Sequence, residues 1–330
     1  MKLKNISINL GLLVITTILF FGGIEVALRV TGLQTVKPNP PKIYQVSEDE
    51  RISYELIPNI SRKAYRQTVT TNSLGFRSAE LEEEKETVVI LGDSIAFGYG
   101  VKDSQTIAAN LAEQIPEYNW LNTASPGYHL GMQTAIYETK LRELDPAMLM
   151  LVFHYNDFDT QTGWLDDMGI IRAPDWVPTE TQCNPVEEGI LKLVPAKCWL
   201  DVNSAFYKVV KKVVNMRNAV ESLEDSRNEE TPKADSITDD QIEMYLSQLD
   251  KLIAVLPEGM PRTFVIWPDR FMHSESRPIL ISEVKKRGLK VIDLYETFGN
   301  NVEVLGWDTV HPSAKAVNEA VDVIAPKLEF

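Results

Sequence analysis

Thr87-Val88-Val89-Ile90-Leu91-Gly92-Asp93-Ser94 is a β-branched and aliphatic run that stops abruptly at Gly92, Asp93 and Ser94. An apolar run without alternation reads as a strand covered on both faces, which belongs in a parallel sheet. Downstream the pattern recurs. Asn119–Asn122 is a short strand, residues 147–153 form a second continuous apolar run, and residues 263–267 and Lys290–Asp293 add two more. Helical spacing separates them over residues 105–114, 131–144 (closed by Asp145 and Pro146), 281–287 and a C-terminal amphipathic stretch at 313–328. Strands alternating with helices predict an α/β chain. Its form is a three-layer α/β/α sandwich around a mostly parallel five-stranded sheet.

Upstream lies a segment of different character. Residues 1–5 are short and basic, and residues 6–24 are almost wholly apolar, interrupted by Asn9, Thr16 and Thr17. At about 1.5 Å per residue this run spans roughly 29 Å, the hydrocarbon thickness of a bilayer. Glu25 is expected at the far interface, with Arg29 snorkelling beside it. No small-residue cleavage site follows, so residues 1–33 read as an uncleaved signal anchor, a transmembrane helix, in preference to a cleaved signal peptide. Membrane contact is expected through residues 6–28. Lys2 and Lys4 place the N-terminus in the cytoplasm and the remainder outside it.

The chain carries 33 Lys and Arg against 47 Asp and Glu, a net charge of −14. Phosphate backbones are held by clustered cations, so this balance excludes a nucleic-acid partner and broad adhesion to anionic lipid. Cys183 and Cys198 are the only cysteines and share one irregular stretch. In an oxidising compartment they are candidates for one disulfide, with two separate buried thiols as the alternative. Closing a loop of that size contributes about 3 kcal/mol in the chain-entropy model. No Cys/His cluster has metal-ligand spacing and no dinucleotide glycine pattern follows the first strand, so neither metal nor cofactor is implied.

Residues 34–86 read as a stiff linker at Pro38, Pro40 and Pro41, followed by a small β lead-in. Residues 52–56 and 64–70 alternate as short strands and lead to Asn72-Ser73-Leu74-Gly75-Phe76-Arg77. The main domain is assigned to residues 87–330. Its alternation breaks at about 158–236, where Trp164, Trp176, Trp199, several prolines and both cysteines show no clear periodicity. This is read as an insertion whose first part, 158–200, is placed to form a lid. Two helical stretches, 203–224 and 238–255, flank an acidic polar segment.

Ser94 stands where the first strand ends, and Trp307-Asp308-Thr309-Val310-His311-Pro312 stands just before the last helix. Pocket residues in open α/β sheets sit at such strand ends. A serine hydroxyl is a weak nucleophile and needs an adjacent base, the role His311 can fill. Asp308 can hold the imidazole in one tautomer through its other nitrogen. Two further blocks, Asn122-Thr123-Ala124-Ser125-Pro126-Gly127 and Tyr155-Asn156-Asp157, follow the second and third strands.

Together the four blocks resemble the SGNH (GDSL) hydrolase family over roughly residues 87–330, apart from the insertion. The resemblance implies a flavodoxin-like form of the sandwich and carboxylic ester hydrolysis through an acyl-enzyme at Ser94. Catalysis would rest on Ser94, Asp308 and His311. An oxyanion hole would be built from the backbone N–H groups of Ser94 and Gly127 and the side-chain amide of Asn156. No cofactor is implied. The Asn72–Arg77 block behind an anchor is similar to membrane-tethered bacterial members, some of which remove or transfer O-acetyl groups on envelope or exported polysaccharide. The implied substrate is an acylated carbohydrate or other small ester, met on the periplasmic or outer face. O-acetyl transfer to polysaccharide, lipase or thioesterase activity, and a non-catalytic tethered binding module are the alternatives.

One departure from the family matters. The family often has glycine two residues before the asparagine of its third block, where this chain has His154, a candidate to touch substrate or reshape the pocket. Trp164, like Trp176 and Trp199, offers a flat face to a sugar ring, with core packing as the competing role. His129 and His273 carry no motif and read as structural, and Asp93 reads as fixing the turn. The α/β-hydrolase elbow requires glycine two residues after its serine; Ala96 stands there instead.

Overall fold

The computed structural model describes residues 2–36, 40–177, 190–228 and 237–330. The chain forms two compact units, Met1–Asn39 with Trp176–Val220, and Pro40–Asp175 with Glu221–Phe330.

In the larger unit five strands lie in the order Lys290–Asp293, Arg262–Ile266, Met148–Phe153, Thr87–Leu91, Asn119–Asn122, and every pairing is parallel. Numbered along the chain this order is 2-1-3-4-5. It is a doubly wound arrangement whose crevice opens at the C-terminal ends of the first and third strands, where crossovers leave to opposite faces. The predicted sandwich is therefore present. The strands lack alternation because both faces are covered: Val88, Val89, Ile90 and Leu91 are all buried, as is the whole of Met148–Phe153. Helix Ile107–Gln114 packs with Ala314–Ile324 on one side, while Asp239–Val255 packs with Leu130–Ile136 and Ser276–Lys286 on the other.

The last helix fixes the loop that precedes it. Ala316, Val317, Ala320, Val321 and Ile324 form one buried stripe, and the Ser313 side chain caps the start by accepting from Ala316 N. Each buried valine or isoleucine contributes about 1.5–3 kcal/mol. The loop bearing His311 is thus tethered at its end. The expected 131–144 helix occurs in three pieces, an α-helix Leu130–Ile136, a π-helical turn Tyr137–Leu141 and a 3₁₀ turn Arg142–Leu144.

The lead-in differs from its reading. Residues 64–70 are not one strand: Ser61–Ala64 pairs antiparallel with Gln67–Thr70 around Tyr65 and Arg66, whose φ angles are +52° and +66°. Such a two-residue loop needs left-handed backbone at both positions and is usually marked by asparagine and glycine. Tyr65 and Arg66 give no such signal. The 52–56 strand is shortened to Tyr54–Leu56, paired with Tyr44–Val46. Arg77 is buried, donating to Phe97 O, Gly98 O and Val101 O and pairing with Asp103 at 2.8 Å. It pins the turn that follows Ser94.

In the smaller unit, helix Lys2–Val30 contains a span, Ile8–Val30, with mean hydropathy 2.1, long and apolar enough to cross a membrane. Glu25 is engaged within the protein: it accepts from Ala205 N at 2.8 Å, Phe206 N at 2.9 Å and Ser204 Oγ at 3.0 Å. The first N–H groups of a helix have no intrahelical partner, and a carboxylate satisfies them. Arg29 pairs with Glu25 and donates to Asn203 O. Trp176 and Trp199 belong to this unit, Trp199 largely exposed. Pro38, Cys183, residues 178–189 of the expected lid and 229–236 of the acidic segment lie outside the described residues. So does the first half of the expected Cys183–Cys198 pair.

Candidate active site

The turn after the first strand is built around Gly92. A Cβ there would stand 2.7 Å from Ala96 Cβ and 2.9 Å from Val152 O, so only glycine lets the turn pass the central strand. Asp93, fully buried, caps the short helix Ser94–Phe97 by accepting from Ile95 N at 2.8 Å. This confirms its turn-fixing role and sets Ser94 at a helix start, 9% exposed.

The structure brings the three predicted catalytic residues together. His311 Nε2 lies 3.0 Å from Ser94 Oγ, and His311 Nδ1 lies 2.9 Å from Asp308 Oδ2. Asp308 Oδ1 accepts from Val310 N and His311 N, so the acid is held by the loop that carries the base. Burial works to raise the Asp308 pKa. The bonds from the His311 ring and from the His311 and Val310 backbone outweigh it and hold the carboxyl at about 2. An ionised Asp308 keeps a proton on Nδ1 and leaves Nε2 to accept from Ser94. Tyr99 stacks on the His311 ring at 4.0 Å and 21°. Tyr65 lies on Tyr99 at 4.2 Å, and Arg66 sits over Trp307 at 4.3 Å.

Gly127 has φ +80°, and a Cβ there would stand 2.6 Å from Tyr54 Oη, which donates to Pro126 O at 2.7 Å. Asn156 is oriented from both ends of its amide. Nδ2 donates to Asp93 Oδ2 at 2.8 Å, and Oδ1 lies 2.6 Å from His154 Nδ1. One Nδ2 hydrogen is left for a ligand. His154, where glycine was expected, thus aligns the amide. Asp157 accepts from His154 N, and burial first, then the Asp93 charge, push its carboxyl well above the usual range.

Two cavities meet at Tyr155, Asn156 and Ile237. One, about 450 Å³, is lined by Tyr54, Asp93, Gly127, His129 and Asn156 among others. The second, about 320 Å³, is lined by His154, Arg227, Asp269, Arg270, His273 and Thr309 among others. Trp164 lines neither; it sits on the small hairpin Trp164–Leu165 with Ile171–Arg172. His129 keeps a structural role, its Nδ1 accepting from Gly131 N and its Nε2 paired with Thr162 Oγ1. His273 does more than the sequence suggested. It stacks on Tyr155 at 3.4 Å, pairs with Asp269 at 3.2 Å and walls the second cavity. Among the described residues no group of His, Cys, Asp or Glu is placed to hold a metal ion.

Sequence reasoning passed over Tyr54, Tyr99, Arg227 and Arg270. None belongs to a motif; Tyr99 follows Ser94 closely, but its partner His311, like the sites that Tyr54, Arg227 and Arg270 reach, is far away in the chain.

No family model and no curated protein matches the sequence. Among solved structures the chain is similar to the psychrotrophic esterase EstA from Pseudoalteromonas sp., inhibited by monoethylphosphonate, at 10% identity and TM-score 0.40, covering 73% of this chain and 96% of that one. It is similar to a mutant of Axe2, an acetyl-xylooligosaccharide esterase from Geobacillus Stearmophilus, at 11% identity and TM-score 0.39, covering 76% and 97%. It is also similar to a member of the lipolytic protein G-D-S-L family from Veillonella parvula, at 10% identity and TM-score 0.36, covering 73% and 95%.

Proposed function

We propose that this chain is a serine ester hydrolase of the SGNH type, tethered by its first helix with the catalytic unit outside the cytoplasm. One observation carries the reading: Ser94 Oγ, His311 and Asp308 form one hydrogen-bonded line, 3.0 Å and 2.9 Å long at its two links. Ser94 Oγ attacks the ester carbonyl while its proton passes to His311 Nε2. The tetrahedral oxyanion is met by Ser94 N–H, Gly127 N–H and the remaining Asn156 Nδ2 hydrogen, each most valuable where charge develops. Collapse expels the alcohol, which takes the proton from His311. Water then attacks the acyl-enzyme, with His311 as base, and returns Ser94.

The cavities favour a small polar ester over a long lipid chain. At about 450 and 320 Å³ they suit a small ester, and histidine, asparagine, aspartate and arginine stand among the apolar residues that line them. An O-acyl carbohydrate, acetylated above all, fits that chemistry, and the apolar span at Ile8–Val30 with Lys2 and Lys4 before it supports envelope or exported material as its source. The test is hydrolysis of an aryl acetate by the full chain in detergent. Ser94→Ala is expected to lower kcat by about 10⁴-fold or more while the fold persists. Equal rates in the two proteins would remove Ser94 from the chemistry, and no turnover of any acyl donor would favour a tethered binding module.

A further inference from the structure

Beside the triad the larger unit holds charge that ester hydrolysis does not use. Arg227 and Arg270 line the same cavity of about 320 Å³. Arg227 Nη2 donates to Val302 O and its buried Nε has no hydrogen-bond partner, while the Arg270 guanidinium reaches only Thr309 Oγ1, at 3.5 Å. Among the described residues neither is paired with a carboxylate. Burial, and then the charge of Arg270, pull the Arg227 pKa down, with Glu224 acting weakly the other way. The one carboxylate in the cavity wall among the described residues, Asp269, is occupied by His273 Nε2 and Arg270 N. His154 faces the same space. In a chain of net charge −14, two guanidiniums without a carboxylate partner among the described residues share one small cavity. Both side chains are partly buried, and like charges that share a partly desolvated space gain when an anion comes between them.

The cavity also has a definite place in the reaction. Its wall includes Asn156 and the two residues between Asp308 and His311, Thr309 and Val310. His311 must hand its proton to the departing alcohol, so the leaving group lies on the His311 side. Gly127 lines the other cavity. Resting on the ester-hydrolase reading, we propose that this cavity receives the alcohol portion of the substrate and clamps an anionic group on it, a carboxylate or a phosphate, between Arg227 and Arg270. Planar guanidinium forks match both anions. Leu223, Val302 and Val304 supply an apolar wall for the ring or chain that bears the charge.

The experiment uses the full chain in detergent and four esters. They are the acetate of para-hydroxybenzoate, the acetate of its methyl ester, the acetate of para-hydroxyphenyl phosphate, and the hemisuccinate of methyl para-hydroxybenzoate. Each kcat/KM is divided by the hydroxide-catalysed rate of the same ester. The carboxylate or the phosphate on the alcohol side is expected to raise this ratio about tenfold or more over the neutral ester, and Arg270→Gln to remove most of that gain. The larger of the two gains identifies the anion. Arg227→Gln is expected to act alike; because Arg227 also holds Val302 O, Arg270→Gln decides if that variant fails to fold. Titration calorimetry with para-hydroxybenzoate reads the cavity without turnover. Binding that weakens about tenfold in Arg270→Gln supports the clamp even if no ester is cleaved, in which case only the hydrolase reading fails. Equal binding in both proteins, or an arginine-dependent preference confined to the hemisuccinate, overturns the proposal and leaves ester hydrolysis standing.

Discussion

Gly127→Ala probes the oxyanion wall, and its effect can be worked from two numbers. At φ +80° an alanine sits in left-handed backbone, which costs roughly 1–2 kcal/mol for a residue with a Cβ. The added Cβ would also lie 2.6 Å from Tyr54 Oη. Tyr54 cannot swing away, being fully buried and bonded to Pro126 O. Overpacking of this kind costs about 1–3 kcal/mol, for a total of about 2–5. Tyr54→Phe alone removes one buried hydrogen bond, worth about 1 kcal/mol. In the double variant the next Tyr54 atom, Cζ, stands 4.0 Å from the new Cβ, an ordinary contact. The overlap vanishes, so the double variant should be about 1–3 kcal/mol more stable than the sum of the singles predicts. Urea unfolding of the four proteins measures this, and kcat on an aryl acetate measures the chemistry. Displacing one oxyanion donor is expected to lower kcat about 10²-fold in Gly127→Ala, with partial recovery in the double variant. Additivity within about 0.5 kcal/mol would refute the Tyr54 contact. An unchanged kcat in Gly127→Ala would remove Gly127 from the oxyanion hole.

Asp308→Asn should lower kcat by up to about 10⁴-fold with little change in KM, because the wrong His311 tautomer is then favoured; a loss under tenfold would refute its place in the triad. The Asp308 carboxyl falls from 3.8 to about 2 on folding, so its stabilisation, about 2 kcal/mol, is complete above about pH 4 and lost as pH falls toward 2. Acid unfolding of wild type and Asp308→Asn should therefore converge below that window. Asp157 has the opposite sign: its folded pKa is raised, so stability is lost as pH rises above the ordinary carboxylate value. Asp157→Asn should gain on wild type between pH 4 and 8 in urea unfolding, and a relative loss over that range would refute the assignment. Arg77→Lys should destabilise by about 3 kcal/mol, since one ammonium cannot serve Phe97 O, Gly98 O, Val101 O and Asp103 together. A melting temperature unchanged within error would contradict that role.

The strands were legible because burial on both faces leaves an unbroken apolar run, as in Val88–Leu91 and Met148–Phe153. That Ser94, Asp308 and His311 lie together was legible because acyl-transfer chemistry calls for those residue types at strand ends and loops. The Tyr65–Arg66 turn was not, because its backbone demand is met by the pairing of its flanking strands instead of by glycine. Nor was the work of His154. An imidazole two residues before Asn156 orients that amide only once Asn156 is folded onto Asp93. Arg227 and Arg270 are ordinary in sequence and become a pair only when helix Ala205–Asn228 and the loop after Arg262–Ile266 face one cavity.

The lead-in hairpin reaches His311 through a relay of rings: Tyr44 Oη bonds Tyr65 Oη at 2.7 Å, Tyr65 lies on Tyr99, and Tyr99 lies on His311. Ser94, Asp308 and His311 all follow residue 87, yet the Tyr99 ring that lies on the imidazole is backed by a side chain that comes before it. A protein cut to begin at the first strand of the sheet would keep Ser94, Asp308, His311 and the Tyr99 ring on the imidazole, but Tyr99 would lose the Tyr65 ring that backs it. On the proposed reading the smallest form with that backing starts ahead of Ile43, and the segment between the first helix and the sheet sets how short such a form can be.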